Sequence, residues 1–293
     1  VEAWGEVLLK SYQASRQQFS FSLAELKKVS AKFRTQAAIK YAKKVLRTCT
    51  DIEVKKTDGN FVAIARHDVD VFQNLTTTHL DEAIKTATIL KSGRTCTVAL
   101  AAFAEKKCVI KRYNIKHVGH FFWRMLRKTR AESSWVNAHR LTLLGIPTAM
   151  PLALLEQNIG YLKGKAYFLT EFLDVPDIQQ FFKQTTDKVA RAEVVKNTVQ
   201  LFYRLLLLKI SHGDFKATNI KISNLQPVLI DLDSMRQHQY DFFAQRAHVR
   251  DLKRFMQNWK DDASLYNAFL KTFKVVYADH TVLRQAHILT KGQ

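Results

Sequence analysis

The sequence predicts a two-lobed α+β fold, a strand-rich half carrying one long helix ahead of a mainly helical half. Three observations carry that expectation. Short strands separated by turns fill residues 51–113. A single long helical pattern then runs from about His120 to Leu144 and stops at Gly145 and Pro147. Beyond residue 173 the apolar spacing is helical, broken only by a polar loop at 211–219 and a short strand at 228–230. The boundaries that follow are a basic helical segment at 1–50, a first lobe at 51–172 and a second at 173–293.

Residues 6–47 read mostly as helix, with Leu23, Leu26, Val29, Phe33, Ala37 and Tyr41 at three- and four-residue steps as the expected apolar face. Strands follow at 52–56 and 60–66 around Thr57-Asp58-Gly59-Asn60. After an amphipathic patch at 79–88, two strands bracket Lys91-Ser92-Gly93-Arg94, and Cys108–Tyr113 is a third. Ala166–Phe172 is an apolar strand. Residues 188–210 place Val189, Ala192, Val195, Val199, Phe202, Leu205 and Leu206 at helical spacing, and helices resume from about 241. There are no internal repeats.

Composition narrows the class. With 293 residues, 47% of them apolar, the chain buries one large core or two unequal lobes. Cys49, Cys96 and Cys108 fit no disulfide framework and no zinc spacing, so a reducing compartment is expected. No apolar run reaches the ~18–20 residues that span a bilayer. The net charge is +20, and it is concentrated: residues 1–50 hold ten basic and three acidic side chains, and 106–130 hold nine basic and none acidic. That concentration points to a polyanionic partner. No helix-turn-helix cue or aromatic strand pair supports nucleic acid.

The chemistry-bearing residues lie in Ser211-His212-Gly213-Asp214-Phe215-Lys216-Ala217-Thr218-Asn219 and Pro227-Val228-Leu229-Ile230-Asp231-Leu232-Asp233. An Asp-x-Lys-x-x-Asn loop, with an apolar strand ending in Asp twelve residues after the Asn, is the layout of phosphoryl transfer. In it, Asp214 is the base that aligns an attacking hydroxyl, and Lys216 neutralises charge on the moving phosphoryl group. Asn219 and Asp231 offer the oxygens that a magnesium ion prefers. Asp233 lies on the same face of an extended chain and stands as support behind Asp231. Lys111, in mid-strand, and Glu132, on the following helix, are the expected nucleotide-holding pair. Ser92, Gly93 and Arg94 form a candidate phosphate-covering turn with one glycine, for which a plain β-turn is the alternative reading.

Lys116 to Arg130 mixes aromatics with cations, which suits an anionic membrane surface; a core-packed helix with a solvated basic face is the alternative. His117 and His120 lack a third metal ligand.

The runs Arg130-Ala131-Glu132-Ser133-Ser134-Trp135-Val136-Asn137-Ala138-His139-Arg140-Leu141 and Leu144-Gly145-Ile146-Pro147-Thr148, followed by the Asp214 loop, Leu229–Asp233, Arg250–Phe255 and Asn258-Trp259, resemble the bacterial lipopolysaccharide kinase (Kdo/WaaP) family over about residues 88–260. The resemblance implies a protein-kinase-like fold using ATP and magnesium. The implied acceptor is a sugar hydroxyl, on heptose or Kdo, in the lipopolysaccharide inner core at the cytoplasmic face of the inner membrane. By it Asp214 is the base, Asn219 and Asp231 bind metal, and Lys111 with Glu132 holds nucleotide. Phe215 and the single-glycine turn depart from the usual pattern. A kinase of the same fold with a protein or another small-molecule or glycolipid acceptor, and a non-catalytic basic binding protein, are the competing readings.

Overall fold

The structure, a computed structural model, describes residues 22–57, 59–114, 128–159, 162–277 and 281–286. Among them are nine α-helices and a seven-stranded antiparallel sheet. The strands are β1 (Ile52–Thr57), β2 (Asn60–Ala65), β3 (Thr88–Ser92), β4 (Cys96–Phe103), β5 (Lys106–Tyr113), β6 (Pro151–Ile159) and β7 (Leu162–Glu171), in spatial order β1-β2-β6-β7-β5-β4-β3. Strand β6 stands near the middle of the sheet, paired on both edges, yet the alternation rule passes over it. Pro151 to Glu156 are all buried, so no polar–apolar alternation marks it as a strand.

Alternation does explain the two faces of the sheet. Ala99 of β4, Cys108 and Ile110 of β5, and Tyr167 and Leu169 of β7 point to one side. There they pack under the short helices α2 (Val69–Phe72) and α3 (Thr77–Thr86) through Phe72, Leu80 and Ile84. Burying each of these contributes about 1.5–3 kcal/mol. The intervening residues Val98, Val109, Lys111 and Phe168 face the other side, which roofs the functional cleft. Asp81 of α3 ties that helix to the sheet by accepting from Arg112 (2.9 Å), Tyr167 (2.8 Å) and Lys165 (2.7 Å).

The first helix, α1 (Leu23–Lys44), corrects the expected apolar face. Ala31, Ala38 and Ala42 are buried, while Leu26, Val29 and Phe33 are exposed. Small side chains let the helix approach closely, and polar anchors fix it: Arg34 donates to the Leu144 carbonyl, and Thr35 to that of Leu208 at 3.4 Å. The part of this helix expected at 6–21 lies outside the described residues.

The long helix α4 (Arg130–Leu143) also starts later than expected. Thr129 is its N-cap, its hydroxyl accepting from the Glu132 amide at 2.9 Å, and Lys128 and Thr129 are non-helical. The Thr-x-x-Glu spacing at 129–132 marks this start locally. The expected stretch 120–127 falls outside the described residues. From Ala131 to Leu141 almost every side chain is buried, because α4 is packed between the sheet, α1 and the 232–234 turn.

The remaining helices are α5 (Ile178–Gln184), α6 (Lys188–Leu207), α7 (Asp241–Met256), α8 (Ala263–Val276) and α9 (Thr281–Gln285). Val195, Val199, Phe202 and Leu205 of α6 are buried as expected, but Val189 is exposed. Four short strands, β8 (Ile210–Ser211), β9 (Ile220–Ser223), β10 (Gln226–Leu229) and β11 (Arg236–Gln237), hold the polar loop between them as two antiparallel pairs.

Two buried histidines give the fold a pH dependence. Burial pushes His248 down to about 3 and His139 down to about 4, so both are neutral in the folded state. His248 shares a 2.8 Å hydrogen bond with the Tyr277 hydroxyl, and His139 packs edge-on to Trp135. The unfolded chain binds protons on these rings below pH ~6.5 and the folded chain does not, so stability is present above pH ~6.5 and lost as pH falls. Each ring contributes a slope of about 1.4 kcal/mol per pH unit there. Urea unfolding between pH 6.5 and 5 checks this, with His248→Asn expected to remove one ring's share of the slope.

Candidate active site

The Asp214 loop follows β8, and its conformation is set from below by α7. The Asp251 carboxylate accepts the backbone N–H of His212 at 2.7 Å and of Gly213 at 3.0 Å. Burial pushes this carboxyl up to about 6, against the pull of the two N–H donors. Gly213 has φ +81°, and a Cβ there would lie 2.6 Å from the Ser234 carbonyl oxygen. Only glycine fits that backbone and that approach. His212 is fully buried; burial disfavours its charged form and lowers its pKa. Its Nε2 lies 3.0 Å from the Ile230 carbonyl and its Nδ1 accepts from the Asp214 amide at 3.4 Å, so one ring joins the loop to the strand before Asp231. Phe215 is buried, stacked on Phe202 with ring centroids 4.1 Å apart.

This scaffold leaves Asp214 partly exposed. Its Oδ2 is 3.2 Å from Lys216 Nζ, and Arg254 Nη2 of α7 lies 2.8 Å from Oδ1 as an ion pair without hydrogen-bond alignment. Asn219 Nδ2 donates to the Asp214 carbonyl at 2.8 Å, closing the loop on itself. Asn258 braces the loop from α7's end, accepting from the Ala217 amide at 3.4 Å. Asp214, Lys216 and Asn219 are thus brought together.

Asp231, two residues beyond the end of β10, lies in the left-handed region, φ 61° and ψ 60°. That conformation costs about 1–2 kcal/mol for a residue with a Cβ, so something must hold it. Asn137 of α4 does: its Nδ2 donates to the carbonyls of Leu232 (2.9 Å) and Met235 (3.0 Å). The Gly145–Thr148 segment adds a second clamp, the Pro147 carbonyl accepting from the Leu229 amide at 3.0 Å and Thr148 Oγ1 donating to the Leu229 carbonyl at 2.7 Å. Asn137→Ala removes both bonds, leaving the Met235 carbonyl without this donor and the Leu232 carbonyl with only the Met235 amide, and is expected to cost about 1–3 kcal/mol. Thermal unfolding reads that loss, and turnover should fall with it.

Lys111 turns to this segment. Its ammonium contacts Asp231 Oδ1 and lies 3.2 Å from Asp233 Oδ2, while Arg130 Nη2 reaches Asp233 at 2.6 Å. Tyr113 carries both cations on its ring, Lys111 at 5.3 Å and Arg130 at 5.2 Å from the centroid. Burial opposes the Lys111 charge, but Tyr113, Asp231 and Asp233 outweigh it and hold its pKa above the ordinary value. Burial likewise pushes Asp231 up, and Lys111 beside it holds the carboxyl below the usual range. Glu132 faces Lys128, 3.2 Å away, so Lys111's ion pairs are with two carboxylates 120 and 122 residues downstream.

Between the sheet and these loops lies a cleft of about 510 Å³, within the range of small-molecule sites. Val98, Val109, Phe168, Ile230 and Leu232 line it with apolar surface; Lys91, Lys111, Asn219, Lys221 and Asp231 are among its charged and polar groups. Glu171, Phe172 and Leu173 form the wall beyond β7. Ser92, Gly93 and Arg94 sit exposed in the β3–β4 turn, where the Gly93 amide bonds the Cys96 carbonyl at 3.1 Å; Leu90, Lys91 and Val98 are the residues of that hairpin on the cleft wall. Asp251, Asn258, Arg254 and Asn137 are structural partners that motif spacing alone does not single out as acting on the loops.

A cleft with a buried strand lysine, two carboxylates at a turn and a braced Asp–Lys–Asn loop is the layout of a phosphoryl-transferring enzyme. A sequence model of the lipopolysaccharide kinase (Kdo/WaaP) family matches residues 82–286, well over half of the chain, and the chain belongs to that family. Membership makes it a phosphotransferase with a lipopolysaccharide-related substrate. No curated protein matches it.

Proposed function

We propose that the chain is an ATP-dependent kinase that phosphorylates a sugar hydroxyl, on heptose or Kdo, of the lipopolysaccharide inner core, at the cytoplasmic face of the inner membrane. In this reading residues 51–172 form a nucleotide-holding lobe, residues 173–293 a catalytic lobe, and residues 1–50 a basic helical segment ahead of them. The observation that carries it is the meeting of Lys111, Asp231 and Asn219 in one cleft, with Asn219 bonded directly to Asp214.

The residues present fit nucleotide and magnesium. Asn219 and Asp231 offer oxygen donors to the same space, and the Asp231–Asp233 pair already accommodates a cation, the Lys111 ammonium. The apolar walls suit a purine ring. Magnesium, when bound, neutralises phosphate charge. Asp214 would accept the hydrogen bond of the attacking sugar hydroxyl and take its proton as the sugar oxygen–phosphorus bond forms and the bond from the γ-phosphorus to the bridging oxygen breaks, releasing ADP. Lys216 and Arg254 flank that carboxylate at 3.2 and 2.8 Å. Lys216 would then offset negative charge on the transferred group. Lys111 would release its carboxylates to hold phosphate oxygens, and Asp233 and Arg130 would keep the turn in place.

The acceptor is tested by incubating the protein with ATP and truncated lipopolysaccharide, casein-like protein or aminoglycosides in parallel. Phosphate on the sugar acceptor is the expected result, and phosphate on protein or antibiotic alone would redirect the assignment.

A further inference from the structure

Helix α7 does more than hold the catalytic loop. Its first turn carries Phe242 and Phe243, 66% and 57% exposed, next to Tyr240 at 61%. Among the described residues the exposed aromatic rings are these three, clustered together, and Phe33 of α1 standing apart. At 100° per residue, Phe242, Phe243, Arg246, Arg250 and Arg254 fall within a sector about 120° wide. All five are exposed, whereas Ala244, Ala247, His248, Val249, Asp251 and Leu252 are buried on the opposite face. The exposed stripe is therefore aromatic at one end and cationic along the rest. The acid at that end, Asp241, is ion-paired with Lys209 at 3.0 Å. Among the described residues, Arg246 and Arg250 form no ion pair, while Arg254 is engaged by Asp214.

We infer that this stripe docks on the surface of an anionic lipid bilayer: Tyr240, Phe242 and Phe243 enter the boundary between headgroups and acyl chains, and Arg246 and Arg250 meet lipid phosphates. Aromatic rings prefer that boundary, arginines at the headgroup level complement its charge, and the +20 net charge draws the chain to it. No helix among the described residues is long and apolar enough to cross a membrane, which leaves this stripe a surface contact rather than a span. Eight residues separate Phe243 from Asp251, about 12 Å of helix, so docking at the aromatic end would set the catalytic loop at a fixed height over the bilayer. The inference rests on the membrane placement proposed above, and not on the identity of the acceptor.

Sedimentation with vesicles of mixed phosphatidylglycerol and phosphatidylcholine, and of phosphatidylcholine alone, tests it. The wild-type chain should bind the anionic vesicles, and the Phe242→Ser/Phe243→Ser variant should bind about tenfold more weakly or worse. Arg246→Gln and Arg250→Gln should each weaken binding about fivefold, with added salt reducing the difference. Both sets of side chains project into solvent, so melting temperatures should stay at the wild-type value; if the double aromatic variant melts early, the arginine variants decide alone. Leu26→Ser/Phe33→Ser on the exposed face of α1 is the comparison, expected to bind as wild type does. Wild-type binding to neither vesicle would overturn the membrane placement and the docking surface together. Wild-type binding that survives the α7 substitutions, or that is lost through α1 instead, would overturn the docking surface and leave the placement standing. A wild-type dimer dispersed by Phe242→Ser/Phe243→Ser would also overturn it, because the stripe would then be covered by a second copy.

Discussion

Asp214→Asn is expected to lower phosphoryl transfer by about 10²–10⁴-fold while the protein stays folded. The substitution keeps the shape of the side chain and removes the carboxylate that the proposed reaction uses to take a proton. Asp214 is held by its neighbours rather than holding them: the backbone of the loop is fixed by Asp251, His212 and Asn258, none of which depends on the Asp214 charge. Losing the charge releases Arg254 and Lys216, both about half exposed, to solvent at little cost. Melting temperature should therefore change little while turnover collapses. Steady-state kinetics beside a thermal melt separates the two, and activity within about tenfold of wild type would contradict the role of Asp214 as base.

The second large effect is at Gly213, and its cause is different. Gly213→Ala places a methyl group 2.6 Å from the Ser234 carbonyl oxygen, which is backbone and cannot swing aside. The alanine must also adopt φ near +81°, which its Cβ disfavours. Together the strain and the clash are expected to cost about 2–5 kcal/mol, read as a shift in the urea midpoint. Ser234 follows Asp233 directly, so relief of the clash would displace the turn that Lys111 and Arg130 hold. Activity should fall even under conditions where the variant is folded. A variant with wild-type midpoint and turnover would mean that the Gly213–Ser234 approach does not constrain the site.

Much of this site is legible in the sequence because its groups are tied to local spacing. Asp214, Lys216 and Asn219 lie within six residues of one another, and Asp231 ends an apolar run, so period and punctuation identify them without tertiary information. Lys111 stands out because a lysine in mid-strand needs a partner. Which partner it takes is not local. Asp231 and Asp233 come to it only through the packing of α4 against the 232–235 segment, where Asn137 fixes the carbonyls. Asp251 is silent for the same reason: nothing in Arg250-Asp251-Leu252 announces that its carboxylate will reach back to two amides 38 and 39 residues earlier.

The departures in the fold have equally specific causes. Strand β6 escapes a period-2 search because its first six residues are buried on both faces. Three- and four-residue spacing puts Leu26, Val29 and Phe33 on the expected face of α1, whereas close helix packing favours Ala31, Ala38 and Ala42. The late start of α4 was written in Thr129 and Glu132, a cap signal outweighed by the apolar period running ahead of it.

The most direct test of the central claim is to incubate the purified chain with isotopically labelled ATP, magnesium and truncated lipopolysaccharide, and to locate the label by mass spectrometry of the core oligosaccharide. One labelled phosphate on an inner-core sugar hydroxyl, formed by the wild-type chain and absent with Asp214→Asn, is the predicted result. Label that never reaches the sugar, or that reaches it equally with both proteins, would contradict the assignment of a sugar kinase working through Asp214.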